Sequence, residues 1–130
     1  MIFVDSSIYI DWLRARVEMA RILEPWIQTR SIATCGVIRA EVVRGILTAA
    51  QKERIQEFFD LLEEIPTDGK TWREASELAW MLDRRGIVVP LSDVVIASCA
   101  QRAGATLIST DAHFTRIPGL TMSRTLPPFG

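Results

Sequence analysis

Short apolar runs alternate along this chain with longer segments in which apolar residues recur at helical spacing. The short runs predict strands at 2–4, 31–36, 105–110 and 120–123. Parallel strands need crossover connections of a dozen or more residues, usually helices, and the intervening segments are long enough to supply them. The pattern therefore predicts an α/β fold around a mostly parallel sheet, in one domain of residues 1–130 with a loose tail at 124–130.

Six segments have the apolar periodicity of helices. They lie at 8–13, 17–27, 37–47, 52–65, 71–86 and 93–104. Hydroxyl residues predict three of the N-caps: Ser6 or Ser7 for the first helix, Thr71 with Glu74 as a capping box for the fifth, and Ser92 for the sixth. The sixth segment is apolar nearly all round, so we expect it to be a central helix.

Composition and charge restrict the class of protein. The 130 residues are 48% hydrophobic and 24% charged, as in ordinary folded domains. No apolar run approaches the ~20 residues that span a bilayer, and the first ten residues lack the basic start of a signal peptide, so we expect a cytoplasmic protein without membrane contact. The net charge of −1 excludes the overall basic footprint of a simple nucleic-acid binder but allows a local basic rim. Cys35 and Cys99 lie in apolar segments without zinc-site spacing and predict buried thiols.

Three acidic residues differ from the others, most of which fall on the polar sides of predicted helices. Asp5, Asp93 and Asp111 lie where an apolar run meets a loop or a helix start. Ligands of open parallel sheets bind at the carboxyl ends of strands, so we expect Asp5 and Asp111 to point to one edge and Asp93 to join them. Each carboxylate alone fits a helix cap. Together they also fit a hard cation such as Mg²⁺, because clustered like charges are costly unless something offsets them.

Glu41 is a fourth candidate for this acidic cluster. A helical wheel of residues 37–47 places it opposite the apolar arc and beside Arg44, with which it makes an i, i+3 pair. Periodicity alone therefore predicts a solvated or cleft-lining side chain, and the pattern of residues leaves its role open.

Four segments resemble the signature segments of PIN-domain ribonucleases, and most closely those of VapC-like toxins of bacterial toxin–antitoxin pairs. The segments are VDSSIYIDWL at 4–13, IRAEVVRG at 38–45, LSDVVIASCA at 91–100 and LISTDAHF at 107–114. The resemblance runs from residue 2 to about residue 120 and implies a three-layer α/β/α sandwich with a central parallel sheet. It also implies metal-dependent endonucleolytic cleavage of RNA, with an acidic cluster that binds Mg²⁺ or Mn²⁺ and consists of Asp5, Glu41, Asp93 and Asp111.

The resemblance also implies roles for residues around the four acids. Ser7 and Ser109 match small polar positions that support the acidic cluster, and Arg44 is the best candidate for holding the RNA backbone. The cation is implied to lower the pKa of a bound water for in-line attack on the scissile phosphate. Many members carry one more acid two residues after the last of the four. Here that position is His113, which is either a surface or cap residue or a contact to a phosphate or a partner.

The resemblance implies two protein partners, a small cognate antitoxin and a second copy of the chain in a homodimer. The four tryptophans are many for a small domain and lie mostly at apolar helical positions, which predicts core packing and leaves a partner groove as the alternative. They are Trp12, Trp26, Trp72 and Trp80. We expect the groove around Tyr9, Trp12, Leu13, Phe58, Phe59 and Leu62.

Other classes of protein fit less of the sequence. A phosphatase with Asp5 as nucleophile usually has a second Asp two residues later, where this chain has Ser7. A dinucleotide-binding domain needs a glycine-rich loop after the first strand, and DSSI at 5–8 is not one. A non-enzymatic binding domain, whose strand-end acids only cap helices, is the alternative that the residues leave open.

Overall fold

A parallel five-stranded sheet forms the centre of the computed structural model, which describes residues 1–129. Its strands are β1 (Ile2–Val4), β2 (Ile32–Cys35), β3 (Glu63–Ile65), β4 (Thr106–Ile108) and β5 (Met122–Ser123). All neighbours pair in parallel in the order β3-β2-β1-β4-β5. The last residue of the central strand β1, Val4, pairs with the last residue of β4, Ile108. The segments that follow these two strands therefore leave the sheet side by side.

Helices flank the sheet and connect its strands. Within residues 1–129 they are α1 (Ser6–Arg14), α2 (Met19–Ile22), α3 (Glu24–Gln28), α4 (Gly36–Val43), α5 (Ala49–Asp60), α6 (Gly69–Arg84), α7 (Leu91–Arg102) and a 3₁₀ helix (Ala112–Arg116). All residues of α7 from 94 to 100 are buried, so its prediction as a central helix is confirmed. The predicted α/β class with a parallel sheet is also confirmed, since continuous apolar runs mark strands that are buried on both faces.

Three of the predicted helices have the wrong extent. The helix predicted at 37–47 ends at Val43. The helix predicted at 52–65 ends at Asp60, and Glu63–Ile65 is the edge strand β3 instead. Only Ile65 of β3 is buried, so this strand carries no apolar run that the sequence could show. The segment at 17–27 splits into α2 and α3, because Pro25 has no N–H to continue a helix and stands in the first turn of α3.

The predicted N-caps are wrong in all three helices. Asp5 caps α1 in place of Ser6 or Ser7, and its carboxylate accepts a hydrogen bond from the Ser7 N–H. Asp68 caps α6, and Thr71 lies inside the first turn, where its N–H donates to Asp68 Oδ1 at 3.1 Å. A carboxylate suits these positions better than a hydroxyl, because it also complements the positive end of the helix dipole. Helix α7 begins at Leu91, directly after Pro90 and without a side-chain cap, so Ser92 already lies within the helix.

The tryptophans divide between the core and the surface. Trp12 and Trp26 are partly buried and pack against the core. Trp72 and Trp80, both on α6, have exposed fractions of 47% and 59%. Core packing is therefore a wrong prediction for these two, and α6 presents aromatic side chains to solvent.

Part of the predicted groove is core instead. Tyr9 and Phe59 are fully buried, and their ring centroids lie 5.3 Å apart in an edge-to-face arrangement. Phe58 and Leu62 are also buried. The rings of Tyr9, Phe58 and Phe59 pack α1 against α5. Core side chains therefore fill the groove that was predicted between these two helices.

Both cysteines are buried free thiols, as predicted. Near the C-terminus, Leu126 packs against the core, and the ring of Phe129 lies 5.3 Å from that of Trp26. No helix within residues 1–129 is long and apolar enough to cross a membrane.

Candidate metal centre

The carboxylate of Asp5 lies at the carboxyl end of the central strand and is held by two serines. The hydroxyls of Ser7 and Ser109 donate hydrogen bonds to Asp5 Oδ2 at 2.7 and 2.9 Å. Asp5 is almost fully buried, with an exposed fraction of 3%. Within residues 1–129 no hydrogen bond reaches its second oxygen, Oδ1. Asp5 therefore serves as a helix cap through one oxygen and leaves the other without a partner in this part of the chain.

Asp93, Asp111 and His113 form a compact group beside this carboxylate. Their ligand atoms all lie within 4.8 Å of one another. The Nδ1 atom of His113 is 3.2 Å from Asp93 Oδ2 and 3.2 Å from Asp111 Oδ1. Asp93 lies in the first turn of α7 and Asp111 caps the 3₁₀ helix after β4, so two separate elements bring the group together.

Ser109 connects this group to Asp5. Its hydroxyl donates to Asp5 and accepts a hydrogen bond from the Asp111 N–H at 3.0 Å. The side chain of Phe114 is buried and anchors the 3₁₀ helix that carries His113. Both contacts keep the loop after β4 in a defined position against β1.

Glu41 approaches the cluster from α4. Its Oε1 accepts a hydrogen bond from the Ser6 hydroxyl at 3.1 Å, and its side chain is partly buried. Burial raises the pKa of Glu41, the Ser6 hydrogen bond opposes this, and the charge of Asp5 raises it further. Glu41 therefore lies close enough to Asp5 for the two carboxylates to interact electrostatically. Neither Asp5 nor Glu41 belongs to the 4.8 Å group within residues 1–129.

Comparison with known proteins assigns the chain to a family. The model of the family described as PIN domain matches residues 2–120. The chain belongs to the PIN domain family. The resemblance inferred from the four sequence segments is thereby confirmed.

Relatives of this PIN domain include VapC ribonucleases. It is 30% identical over 105 residues to Ribonuclease VapC2 of Rickettsia felis, with 77% of this chain and 78% of that protein covered. It is 28% identical over 128 residues to VapC ribonuclease Mb1587 of Mycobacterium bovis, with 93% and 94% covered. A crystal structure of VapBC2 from Rickettsia felis bound to a DNA fragment from their promoter has a TM-score of 0.77 at 25% identity, covering 95% of this chain and 98% of that chain.

The electrostatics of the PIN domain centre are unfavourable without a cation. Burial raises the pKa of Asp93 to about 6, the charges of Asp111 and Asp5 raise it further, and the hydrogen bond with His113 opposes the rise. A divalent cation would relieve this repulsion. The donor set fits a hard cation, because it consists mainly of carboxylate oxygens and leaves part of the shell to water or phosphate oxygens.

The sequence alone does not place His113 in this group. The spacing of two residues from Asp111 was its only signal, and the acid expected there from the family is absent. The ring reaches Asp93, 20 residues away in sequence, only because the 3₁₀ helix packs beside the first turn of α7.

Proposed function

We propose that this PIN domain is a metal-dependent endoribonuclease that acts as the toxin of a toxin–antitoxin pair. The observation that carries the proposal is the convergence of Asp5, Asp93 and Asp111 from three elements at one edge of the sheet. The two VapC relatives are ribonucleases by name, and their similarity to this chain supports RNA as the substrate.

The four acids divide the work of the centre. Asp5 and Asp93 would hold a Mg²⁺ or Mn²⁺ ion directly, and Glu41 and Asp111 would complete the site directly or through water. Such an ion lowers the pKa of a bound water and polarises the scissile phosphate. The chain's own contribution is to hold the acids in place against their mutual repulsion.

Neighbouring residues support the acids and the substrate. Ser7 and Ser109 orient the Asp5 carboxylate through its Oδ2 atom. Arg44 is exposed, and its charge acts on the Glu41 carboxyl one helical turn away. We assign Arg44 to the RNA backbone, where a guanidinium holds a phosphate without reading the base sequence.

Cleavage of RNA by the Asp5→Asn variant tests the proposal. The asparagine keeps a side-chain oxygen for the Ser7 N–H and removes the charge. We expect the variant to lose the cleavage that the wild type shows with Mn²⁺, and EDTA to abolish cleavage by the wild type. Asp11→Asn, an exposed change on the same helix, is the matched control and retains activity. Cleavage that persists in Asp5→Asn or in EDTA contradicts the proposal.

A groove between α1, α2 and α5 is the proposed docking site of the antitoxin. Its volume is about 630 Å³. It shares Leu13 and Phe58 with the groove expected from the sequence but lies toward the start of α5, and its lining carries the cations Arg16 and Arg54 and one acid, Glu18. An amphipathic helix with acidic residues beside its apolar face fits this lining. VapBC2 of Rickettsia felis, a solved neighbour with 25% identity, supports an antitoxin partner for this chain.

Exposed apolar residues on α6, at the start of α7 and in the loop between them support a homodimer. Trp80, Val88 and Leu91 have exposed fractions of 59%, 76% and 58%. These three residues lie within residues 80–91, and contiguous exposed apolar surface is typical of protein–protein contacts. We also propose that residues 1–130 form a single domain and that the protein is located in the cytoplasm.

A non-enzymatic binding domain is the second candidate. It is favoured by the finding that Asp5 and Asp111 both accept backbone hydrogen bonds as helix caps. Addition of Mn²⁺ separates the two functions, because a domain whose acids serve only as caps shows no Mn²⁺-linked rise in Tm.

A further inference from the structure

His113 is the single histidine of the chain and contacts two of the candidate metal ligands. Its backbone N–H donates to Asp111 Oδ1 at 2.9 Å, while its Nδ1 atom faces both Asp93 and Asp111. The next residue, Phe114, is buried and holds this turn against the core. The backbone hydrogen bond to Asp111 and the two ring contacts therefore both orient the imidazole toward the acids.

The two distances from the His113 ring to the carboxylates are compatible with a shared coordination shell as well as with hydrogen bonds. Octahedral divalent ions bind ligands at about 2.0–2.2 Å, so adjacent ligand atoms lie about 3 Å apart. The Nδ1 atom of His113 is 3.2 Å from one oxygen of Asp93 and 3.2 Å from one oxygen of Asp111. A cation between the two carboxylates would thus find the nitrogen at the position of a third ligand.

We propose that Nδ1 of His113 is a ligand of the cation, beside Asp93 and Asp111, and that it directs the centre toward Mn²⁺ and other transition metal ions rather than Mg²⁺. The proposal rests on the proposed function, because it takes a divalent cation at this centre as given. Imidazole nitrogen suits transition metal ions, whereas Mg²⁺ prefers carboxylate, carbonyl and water oxygens. An imidazole in place of an acid also removes one negative charge from the coordination shell, which lowers the affinity for Mg²⁺ most.

A structural role for the imidazole is the competing interpretation. In that case His113 pairs with Asp93 and Asp111 as a counter-charge and leaves when the cation enters. The two interpretations predict opposite effects of removing the ring, because a ligand strengthens cation binding and a counter-charge competes with it.

Electron spin echo envelope modulation of bound Mn²⁺ tests the proposal directly, since it detects ¹⁴N nuclei that are bonded to the ion. With any affinity tag removed, His113 is the only source of imidazole nitrogen in the chain. The variants are His113→Gln, which removes the ring, and His113→Asp, which supplies an oxygen ligand instead. Calorimetric titration of the metal-free proteins with Mn²⁺ alone and Mg²⁺ alone gives the two affinities, and circular dichroism confirms that each variant is folded.

The proposal expects ¹⁴N modulation in the wild type and its loss in both variants. Losing even an outer hydrogen-bonding partner of a metal ligand costs ~10–100-fold in metal affinity. The affinity of His113→Gln for Mn²⁺ is therefore expected to be at least about tenfold lower than that of the wild type. His113→Asp is expected to lower the ratio of Mn²⁺ to Mg²⁺ affinity. If the wild type binds Mn²⁺ without ¹⁴N modulation and His113→Gln binds Mn²⁺ equally or more tightly, the proposal is overturned. The nuclease function would still stand. A wild type that binds neither ion overturns both.

Discussion

Replacing Asp93 by asparagine is expected to stabilise the metal-free protein. The Asp93 side chain is 13% exposed, and burial together with Asp111 and Asp5 raises its pKa from 3.8 to about 6. Each tenfold change in an acid dissociation constant corresponds to about 1.4 kcal/mol, so the folded state carries a penalty of ~3 kcal/mol once the carboxyl is fully ionised. Asparagine cannot ionise and still offers an oxygen to the His113 ring.

The pH dependence of this penalty follows from the raised pKa. Well below pH 3.8 the carboxyl is protonated in both the folded and the unfolded chain, and the penalty is absent. As the pH rises, the unfolded chain releases this proton first. The free energy of unfolding therefore falls between pH 4 and about 6 and then levels off. Asp93→Asn is expected to remove this fall, and Mn²⁺ is expected to offset it in the wild type alone.

Urea unfolding in EDTA between pH 4 and pH 8 measures the effect. At pH 8 the free energy of unfolding of Asp93→Asn should exceed that of the wild type by ~2–3 kcal/mol, and the difference should shrink toward pH 4. Asp83→Asn, an exposed change on α6, is the control and should show no such trend. A less stable Asp93→Asn at pH 8, or a difference independent of pH, refutes the reasoning.

Three further changes test other parts of the molecule. Ser109→Ala removes the hydrogen bond to Asp5 and leaves the Asp111 N–H without its partner; we expect a loss of ~1–3 kcal/mol in urea unfolding and slower RNA cleavage, and an unchanged rate would contradict the orienting role of this serine. Trp80→Ser should shift the oligomer toward monomer in light scattering, whereas an unaltered mass would exclude this face as the dimer contact. Arg54→Glu should reduce the amount of co-expressed antitoxin that is captured in a pull-down without changing RNA cleavage. Capture equal to that of the wild type would count against the groove as the docking site.

The sequence predicted the parts of the fold that are marked by continuous burial. Residues 2–4 and 94–100 are buried and were recognised by their apolar runs. The sequence does not predict β3, because Glu63 and Glu64 face solvent and its pairing with β2 leaves no apolar pattern. The sequence misplaces the caps of α1 and α6 because Asp, Ser and Thr are all good caps, and the choice between neighbouring candidates depends on the backbone path. Helix α7 has no side-chain cap at all.

The candidate site depended on which elements meet in space. Asp5 and Asp111 could be placed at one edge because each follows a buried strand of a parallel sheet. A helical wheel describes only where Glu41 lies relative to its own helix, whereas Ser6 on another helix determines its surroundings. The ring of His113 contacts Asp93 because the 3₁₀ helix packs beside α7. The spacing of residues in the sequence does not reveal this packing.

The edges of the sheet determine how copies of this chain can meet. β5 has only two residues, and the outer strand β3 carries the exposed carboxylates of Glu63 and Glu64. A second chain adding to β3 would bring its own carboxylates against these, and charges on edge strands oppose such pairing. Polymerisation by strand addition is therefore disfavoured at both ends of the sheet. Self-association is left to the helical surfaces, where side-chain complementarity rather than backbone hydrogen bonding selects the partner.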